Sequence, residues 1–152
     1  MPALLVVDDD PLIAGMLRLV LESEGYDVSH AEDGRAALDA IASARPACMV
    51  LDMMMPELDG YGVLEALQVE GSDRPRIIML TCCSAEDDVR KALSLGADEY
   101  LTKPVDVDHL LHTVRDLLDT NLDDLHARRL GIADDAVLSA RVEALLDRQL
   151  AG

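Results

Sequence analysis

Short, nearly continuous apolar runs alternate along the chain with longer segments whose apolar positions recur every three or four residues. The first pattern is that of a strand buried on both faces, the second that of a helix with one buried stripe. Ala3 to Val7 reads as the first strand, and Asp10 with Pro11 then opens a helix, as N-cap and first-turn residue. The stripe of that helix is Ile13, Met16, Leu17 and Val20, and Gly25 supplies the stop. Tyr26 to His30 is a second strand, and "EDG" leads into a helix around Ala36 to Ala44. Ala47 to Asp52 is a third strand, followed through a loop by a helix bearing Val63, Leu64 and Leu67. Arg76 to Thr81 is a fourth, with a helix from about Glu86 to Leu95 closed by Gly96. Tyr100 to Thr102 is a short fifth strand, and Pro104 ends it before a long helix begins near Asp106.

Five repetitions of strand then helix predict an α/β fold, a parallel sheet with helices on both faces. Right-handed crossovers leave few arrangements, and the flavodoxin-like, doubly wound order 2-1-3-4-5 is the natural one for five strands. In such sheets the ligand site lies at the carboxyl ends of the strands, at the switch point beside strands 1 and 3. Those ends hold Asp8, Asp9 and Asp52.

Beyond this unit, residues 1–121, the pattern predicts a helical extension over 122–152. Val107, Leu110, Leu111, Val114, Leu117, Leu118, Leu122 and Leu125 keep one apolar face, so the last helix is expected to run on until Leu130 and Gly131 break it. Another helix follows, with Asp134 as cap and Val137 or Leu138, Val142, Leu145, Leu146 and Leu150 on one side. Such faces do not remain in water. They pack within the chain or form a homodimer through the fifth helix and the extension.

Composition narrows the function. The chain of 152 residues is half apolar, with no Phe or Trp and three Tyr, so its core is aliphatic and methionine-rich. A net charge of −17 repels phosphate backbones and anionic membranes, which argues against direct nucleic-acid or membrane binding. The segment 122–152 carries six acids and four basic residues, too short and too acidic a stretch for a DNA-reading module. A stand-alone regulator acting through protein contacts is the expectation. Cys48, Cys82 and Cys83 are an odd number in a chain that needs no disulfide staples, and "MPALLVV" runs straight into acids. Both features predict a cytoplasmic protein.

The strand-end carboxylates carry the chemistry. At about 4 Å and an effective dielectric near 20, each pair repels by roughly 4 kcal/mol, so protons or a cation must be present. An all-oxygen site with room for water suits Mg²⁺, beside which an ionised aspartate can attack phosphorus. Asp10 is explained by capping, whereas Asp8 and Asp9 lie one step too early for that. Alone, Asp52 would read as a loop acid. Thr81 and Lys103, ending strands 4 and 5, face the same crevice and offer a hydroxyl donor and an ammonium. A cis peptide at Lys103-Pro104 would aim that ammonium inward.

With these residues in place, "LLVVDDD", "VLDMMMPELDG", "IIMLT" and "ALSLGADEYLTKPV" resemble the receiver domain of two-component response regulators over residues 3 to about 120. The resemblance implies that Asp52 accepts a phosphoryl group from a sensor histidine kinase or phosphotransfer protein. It implies that Asp9, Asp52 and the backbone carbonyl of Met54 bind Mg²⁺, Asp8 helping through water, and that Thr81 and Lys103 contact the phosphate. Tyr100 matches the switch aromatic, whose inward rotation follows the Thr81 hydroxyl and re-forms the surface of helix 4, strand 5 and helix 5 for a downstream target. Pro56 and the pair Asp59-Gly60 would shape the loop presenting Met54. Met54 and Cys83 fall where the family varies its self-dephosphorylation, and neither readily positions water, so a long-lived acyl phosphate is expected.

Other residues invite readings the pattern does not support. Cys82 and Cys83 are adjacent, lack a CxxC partner, and read as small buried hydrophobes. His109 and His112 read as surface residues, and His30 and His126 have no chemical context. Two alternative functions remain. A phosphatase of the haloacid dehalogenase type would need a second aspartate where Met54 stands, and a pseudo-receiver that only binds partners would not need the full set of Asp8, Asp9, Asp52, Thr81 and Lys103.

Overall fold

In the computed structural model, which describes residues 2–69, 74–82, 85–132 and 134–151, the apolar runs form one parallel sheet. Its strands are β1 (Ala3–Val7), β2 (Asp27–Ala31), β3 (Cys48–Asp52), β4 (Arg76–Thr81) and β5 (Glu99–Thr102), in the order β2-β1-β3-β4-β5. They alternate with α1 (Pro11–Ser23), α2 (Gly34–Ala44), α3 (Gly60–Val69), α4 (Glu86–Ser94) and α5 (Val107–Asp119), and α6 (Leu122–Gly131) and α7 (Asp135–Ala151) follow. This is the flavodoxin-like arrangement with a helical extension that the pattern predicts.

The strand period of two decides which helices each residue meets. Leu4, Val6, Cys48, Val50, Ile78, Leu80 and Leu101 share one buried cluster with Ala14, Leu17 and Leu21 of α1 and Leu110, Val114 and Leu117 of α5. Leu5, Val7, Met49, Leu51, Ile77, Met79 and Tyr100 turn the other way, onto Ala37, Ile41, Val63, Leu64, Leu67, Val89 and Leu93. Both faces are covered, so each strand reads as an uninterrupted apolar run. On α1 the stripe differs from the expected one. Ala14, Leu17 and Leu21 are buried, Ile13 and Val20 only half-buried, and Met16 is 41 % exposed. The helix has more apolar positions than its face can bury, and Leu12 and Leu19 also stay outside.

The extension departs from the pattern at one point. α5 does not run on to Leu130: it ends at Asp119, where Thr120 turns extended and its hydroxyl donates to the Asp116 carbonyl at 2.9 Å. Asn121 then caps a new helix, accepting the Asp124 amide at 2.8 Å and donating to the Asp124 carboxylate at 3.1 Å. A side-chain cap outcompetes continuation of the helix there. Leu122 is thereby left outside, while Leu125 enters the α1–α5 cluster. Asp134 caps α7 as expected, accepting the amides of Ala136 and Val137. Leu138, Val142 and Leu145 of α7 join the opposite cluster, against α4 and β5. The extension thus passes around the β5 edge from one face of the sheet to the other, burying Leu125, Leu138, Val142 and Leu145 within the chain while Leu122, Leu130 and Val137 stay exposed.

Buried ion pairs fix this path. Asp98, 7 % exposed, accepts the Ile77 amide at 2.8 Å and the Arg129 guanidinium at 2.8 and 2.7 Å. Glu99 pairs with Arg141 at 2.8 Å. The three α7 anchors contribute about 1.5–3 kcal/mol each on burial. Ordering the backbone costs roughly 1–2 kcal/mol per residue, so the helix also depends on its internal hydrogen bonds and these ion pairs. Asp98→Ala strands a buried guanidinium and an amide, and is expected to lower unfolding stability by about 3 kcal/mol in a urea titration.

Candidate phosphoacceptor site

Parallel pairing brings one end of every strand to the same rim. Val7 is opposite Leu51, Asp52 opposite Leu80, and Thr81 opposite Thr102. The residues at or just beyond those ends are Asp8 and Asp9, Asp52, Thr81 and Lys103. The structure brings together the set read from the sequence. Asp8, Asp52 and Thr81 are buried and Asp9 is exposed. Carboxylate oxygens of Asp8, Asp9 and Asp52 lie within 4.8 Å of one another.

Lys103 reaches into this cluster, its Nζ 3.3 Å from Asp8 Oδ2 and 3.4 Å from Asp52 Oδ1. It is placed by β-ladder continuation, its amide donating to the Thr81 carbonyl at 2.7 Å, and the Lys103-Pro104 bond is cis. The other Asp8 oxygen accepts the Asp10 amide at 2.9 Å. His30, expected to lack context, stands 3.0 Å by Nε2 from the Asp8 carbonyl oxygen. A carbonyl only accepts, so that nitrogen carries the proton and braces the Asp8 backbone. The periodic pattern contained no sign of this, because His30 lies on the neighbouring strand.

Charge at the cluster is unbalanced. Burial, and then the Asp8 charge, raise the Asp52 pKa above the ordinary carboxylate value, against the opposing pull of Lys103 and the Met54 amide. For Lys103 burial favours the neutral amine, but Asp52 and Asp8 outweigh it and the pKa is raised. Three carboxylates face one ammonium, and three clustered oxygens fit a hard divalent cation that keeps part of its water shell.

The loop after β3 holds Asp52 rigidly. Met53 and Met55 are buried and Met54 is 63 % exposed, so the two flanking side chains pin the loop while Met54 turns outward. The Gly60 amide donates to the Met53 carbonyl at 2.9 Å, and Asp59 Oδ1 accepts the Gly62 amide at 2.9 Å, which starts α3. A Cβ on Gly60 would come within 2.7 Å of the Asp52 carbonyl oxygen and 2.9 Å of Met53 Cα, so only glycine lets α3 approach the strand end this closely. A crevice of about 520 Å³ opens beside this loop, lined by Asp9, Met54, Tyr61 and Asp88 among others.

The model of the response regulator receiver domain matches residues 4–115. The chain belongs to the response regulator receiver family. It is 47 % identical over 115 residues to response regulator MprA of Mycolicibacterium vanbaalenii, covering 76 % of this chain and 49 % of that one. The chain spans about half the length of the curated relatives it matches. Among solved structures, the Francisella response regulator 1452 receiver domain superimposes with a TM-score of 0.74 at 35 % identity, covering 78 % of this chain and 97 % of that one. The Vibrio cholerae chemotaxis protein CheY4 superimposes with a TM-score of 0.73 at 31 % identity, covering 77 % and 98 %. Receivers are phosphoacceptor modules of two-component signalling that interact with histidine kinases, and they bind Mg²⁺ at acidic sites of this kind. α6 and α7 lie beyond the matched residues.

The cysteines need one correction. Cys48 is buried, and burial followed by the Asp98 charge pushes its thiol up to about 12, so it behaves as a small hydrophobe. Cys82, expected to be buried, is exposed just past the end of β4, and Cys83 lies outside the described residues. No helix among the described residues is long and apolar enough to cross a membrane.

A raised carboxylate pKa has a definite sign. Ionised Asp52 is less favoured folded than unfolded, so stability falls as pH climbs from the ordinary carboxylate value through the raised one. Asp52→Asn in metal-free buffer at neutral pH is expected to raise Tm by about 2–4 °C. Mg²⁺ should raise the Tm of the native receiver and have less effect on the variant, read by calorimetry.

Proposed function

We propose that Asp52 is the phosphoacceptor of this receiver and that its phosphorylation switches contacts with a downstream protein. The observation that carries this reading is the cluster of Asp8, Asp9 and Asp52 carboxylates, two of which, Asp8 and Asp52, share the Lys103 ammonium, with Thr81 at the adjoining strand end.

The donor is a phosphohistidine of a sensor kinase or phosphotransfer protein. An Asp52 carboxylate oxygen attacks phosphorus and forms the acyl C–O–P linkage. The P–N bond breaks, its electron pair stays on the imidazole nitrogen, and that nitrogen takes a proton as the donor leaves. Asp8, Asp9, Asp52 and the Met54 carbonyl would hold Mg²⁺, which when bound neutralises charge on the phosphoryl oxygens. Lys103 supplies the complementary charge from the protein. Already within ion-pair distance of Asp52, it needs no large movement to follow the new oxygens.

The product carries more charge and more acceptor oxygens than the carboxylate it replaces. Thr81 donates its hydroxyl toward them, and Tyr100, buried in the cluster facing α4, responds to that displacement. The surface of α4, β5 and α5 is then the part that differs between the two states, and partner choice follows it.

Incubation with acetyl phosphate and Mg²⁺ is expected to add one phosphoryl group by mass, removable by hydroxylamine and absent from Asp52→Asn. Lys103→Ala should slow its formation by about 10²-fold or more, the scale of losing one preorganised electrostatic contact. An adduct that persists in Asp52→Asn would sink the assignment. The outward Met54 side chain offers nothing to orient a water, so the acyl phosphate is expected to be long-lived. Met54→Asn should shorten its lifetime several-fold when phosphate loss is followed by mass.

A further inference from the structure

We propose that the cavity where α4, α6 and α7 meet is a binding site for a small amphipathic carboxylic acid, its apolar part inside and its carboxylate on the arginines at the mouth. The site lies by Asp98, at the opposite end of β5 from Lys103, and shares no residue with the phosphoacceptor crevice.

The walls are apolar and reachable from solvent. Leu93 of α4, Ala97 before β5, Ile132 just past α6 and Val137 of α7 bound a cavity of about 200 Å³ that is open on one side. Leu93 and Ala97 are buried, Ile132 is half-buried and Val137 is 47 % exposed, so aliphatic carbon lines the space from its base to its rim. An aliphatic cavity of about 150 Å³ holds benzene, so one ring or a short branched chain fits here. Water in such a space finds few hydrogen-bond partners, and an apolar group displaces it favourably.

The mouth selects for negative charge. Arg128 and Arg129 of α6 and Arg141 of α7 line the cavity, against a single acid, Asp98. That carboxylate is already satisfied, because Arg129 donates to its two oxygens at 2.8 and 2.7 Å and the Ile77 amide donates to one of them at 2.8 Å. Arg141 is paired with Glu99 at 2.8 Å. Arg128, in the last turn of α6, is exposed, and its guanidinium has no acid partner among the described residues. Nearby, Arg74 lies against Gly96, and its Nη1 is buried without a hydrogen-bond partner among the described residues. Burial and then the Arg129 charge lower the Arg74 pKa, against the pull of Asp98, which marks a place where positive charge is in excess.

In a chain of net charge −17 this local surplus runs against the whole. A guanidinium fork meets a carboxylate through two parallel hydrogen bonds, and Arg128 has its fork free to do so. A cationic ligand would face three guanidinium groups, and a bare inorganic anion would make no use of the aliphatic walls. The combination therefore fits an acid that carries one compact apolar group.

The test titrates the full chain with phenylpropionate while methyl resonances are followed. Those of Leu93, Ile132 and Val137 are expected to shift together and saturate with a dissociation constant of about 1 mM or below, the strength open to a ligand of this size. Val6 and Val50, in the cluster on the other face of the sheet, should not respond. Phenylpropanamide, neutral and nearly the same shape, should bind at least about fivefold more weakly, and phenylpropylamine more weakly still. Arg128→Gln should bring the affinity for the acid down to that for the amide and leave the amide unchanged. Val137→Phe, which fills the cavity from its exposed wall, should weaken both ligands at least about tenfold while the Val6 and Val50 resonances stay in place. Absence of a saturable shift up to about 10 mM, an amide bound as tightly as the acid, or a preference for the acid that survives Arg128→Gln would overturn the proposal.

Discussion

One ammonium held between two buried carboxylates is the constraint from which the rest of the molecule follows. Lys103 stands within 3.4 Å of both Asp8 and Asp52, yet one positive charge does not balance the three acids gathered there. The residual negative charge attracts a divalent ion. On the proposed reading, ion and ammonium together let the crevice accept further negative charge at one side chain. Such a balance tolerates little positional error, since Coulomb energy in a partly buried site changes steeply with distance. The parallel sheet supplies the tolerance: β1, β3, β4 and β5 are in fixed register, and each strand ends at the rim carrying one element of the site.

The side chains that hold this geometry carry no chemistry of their own. Met53 and Met55 bury the flanks of the β3–α3 loop, and the absence of a side chain at Gly60 lets α3 close against the Asp52 backbone. His30 braces the Asp8 carbonyl from β2. A nucleophile is useful only if its orientation is fixed before the donor arrives, and under the proposed role of Asp52 these contacts serve that end.

How much of this was legible in the chain depends on the range of the interaction. Strand order, the rim, and the positions of Asp8, Asp9, Asp52, Thr81 and Lys103 were legible, because alternating strand and helix patterns allow few topologies and the topology dictates which residues converge. The break between α5 and α6 was not. Leu122 and Leu125 continue the apolar period of α5, and only the local competition between an Asn121 cap and one more helical turn decides against it. Likewise Met16 completes an apolar stripe on α1 in sequence but faces solvent, since α1 carries more apolar residues than its buried face accepts. The ion pair of Asp98 with Arg129 spans 31 positions, and no periodicity reports on that. The acids of "GADEY" were visible as acids at the start of a strand, without any sign of their partners.

β5 carries acidic groups toward one end and the site lysine past the other, and the two ends are treated differently. Asp98 and Glu99 are neutralised within the chain by Arg129, Arg141 and Arg148, so that end is electrostatically closed. Asp8, Asp9 and Asp52 share one ammonium, so the opposite end keeps the uncompensated negative charge on which the proposed function rests. A chain of net charge −17 has few basic residues to distribute, and three of the four in 122–152 are placed against Asp98 and Glu99, just before and at the first residue of β5. If the extension served only to cover apolar surface, surface arginines anywhere on α6 and α7 would have sufficed. Their concentration on the strand that also leads to Lys103 ties the seat of the extension and the reactive crevice to a single element four residues long.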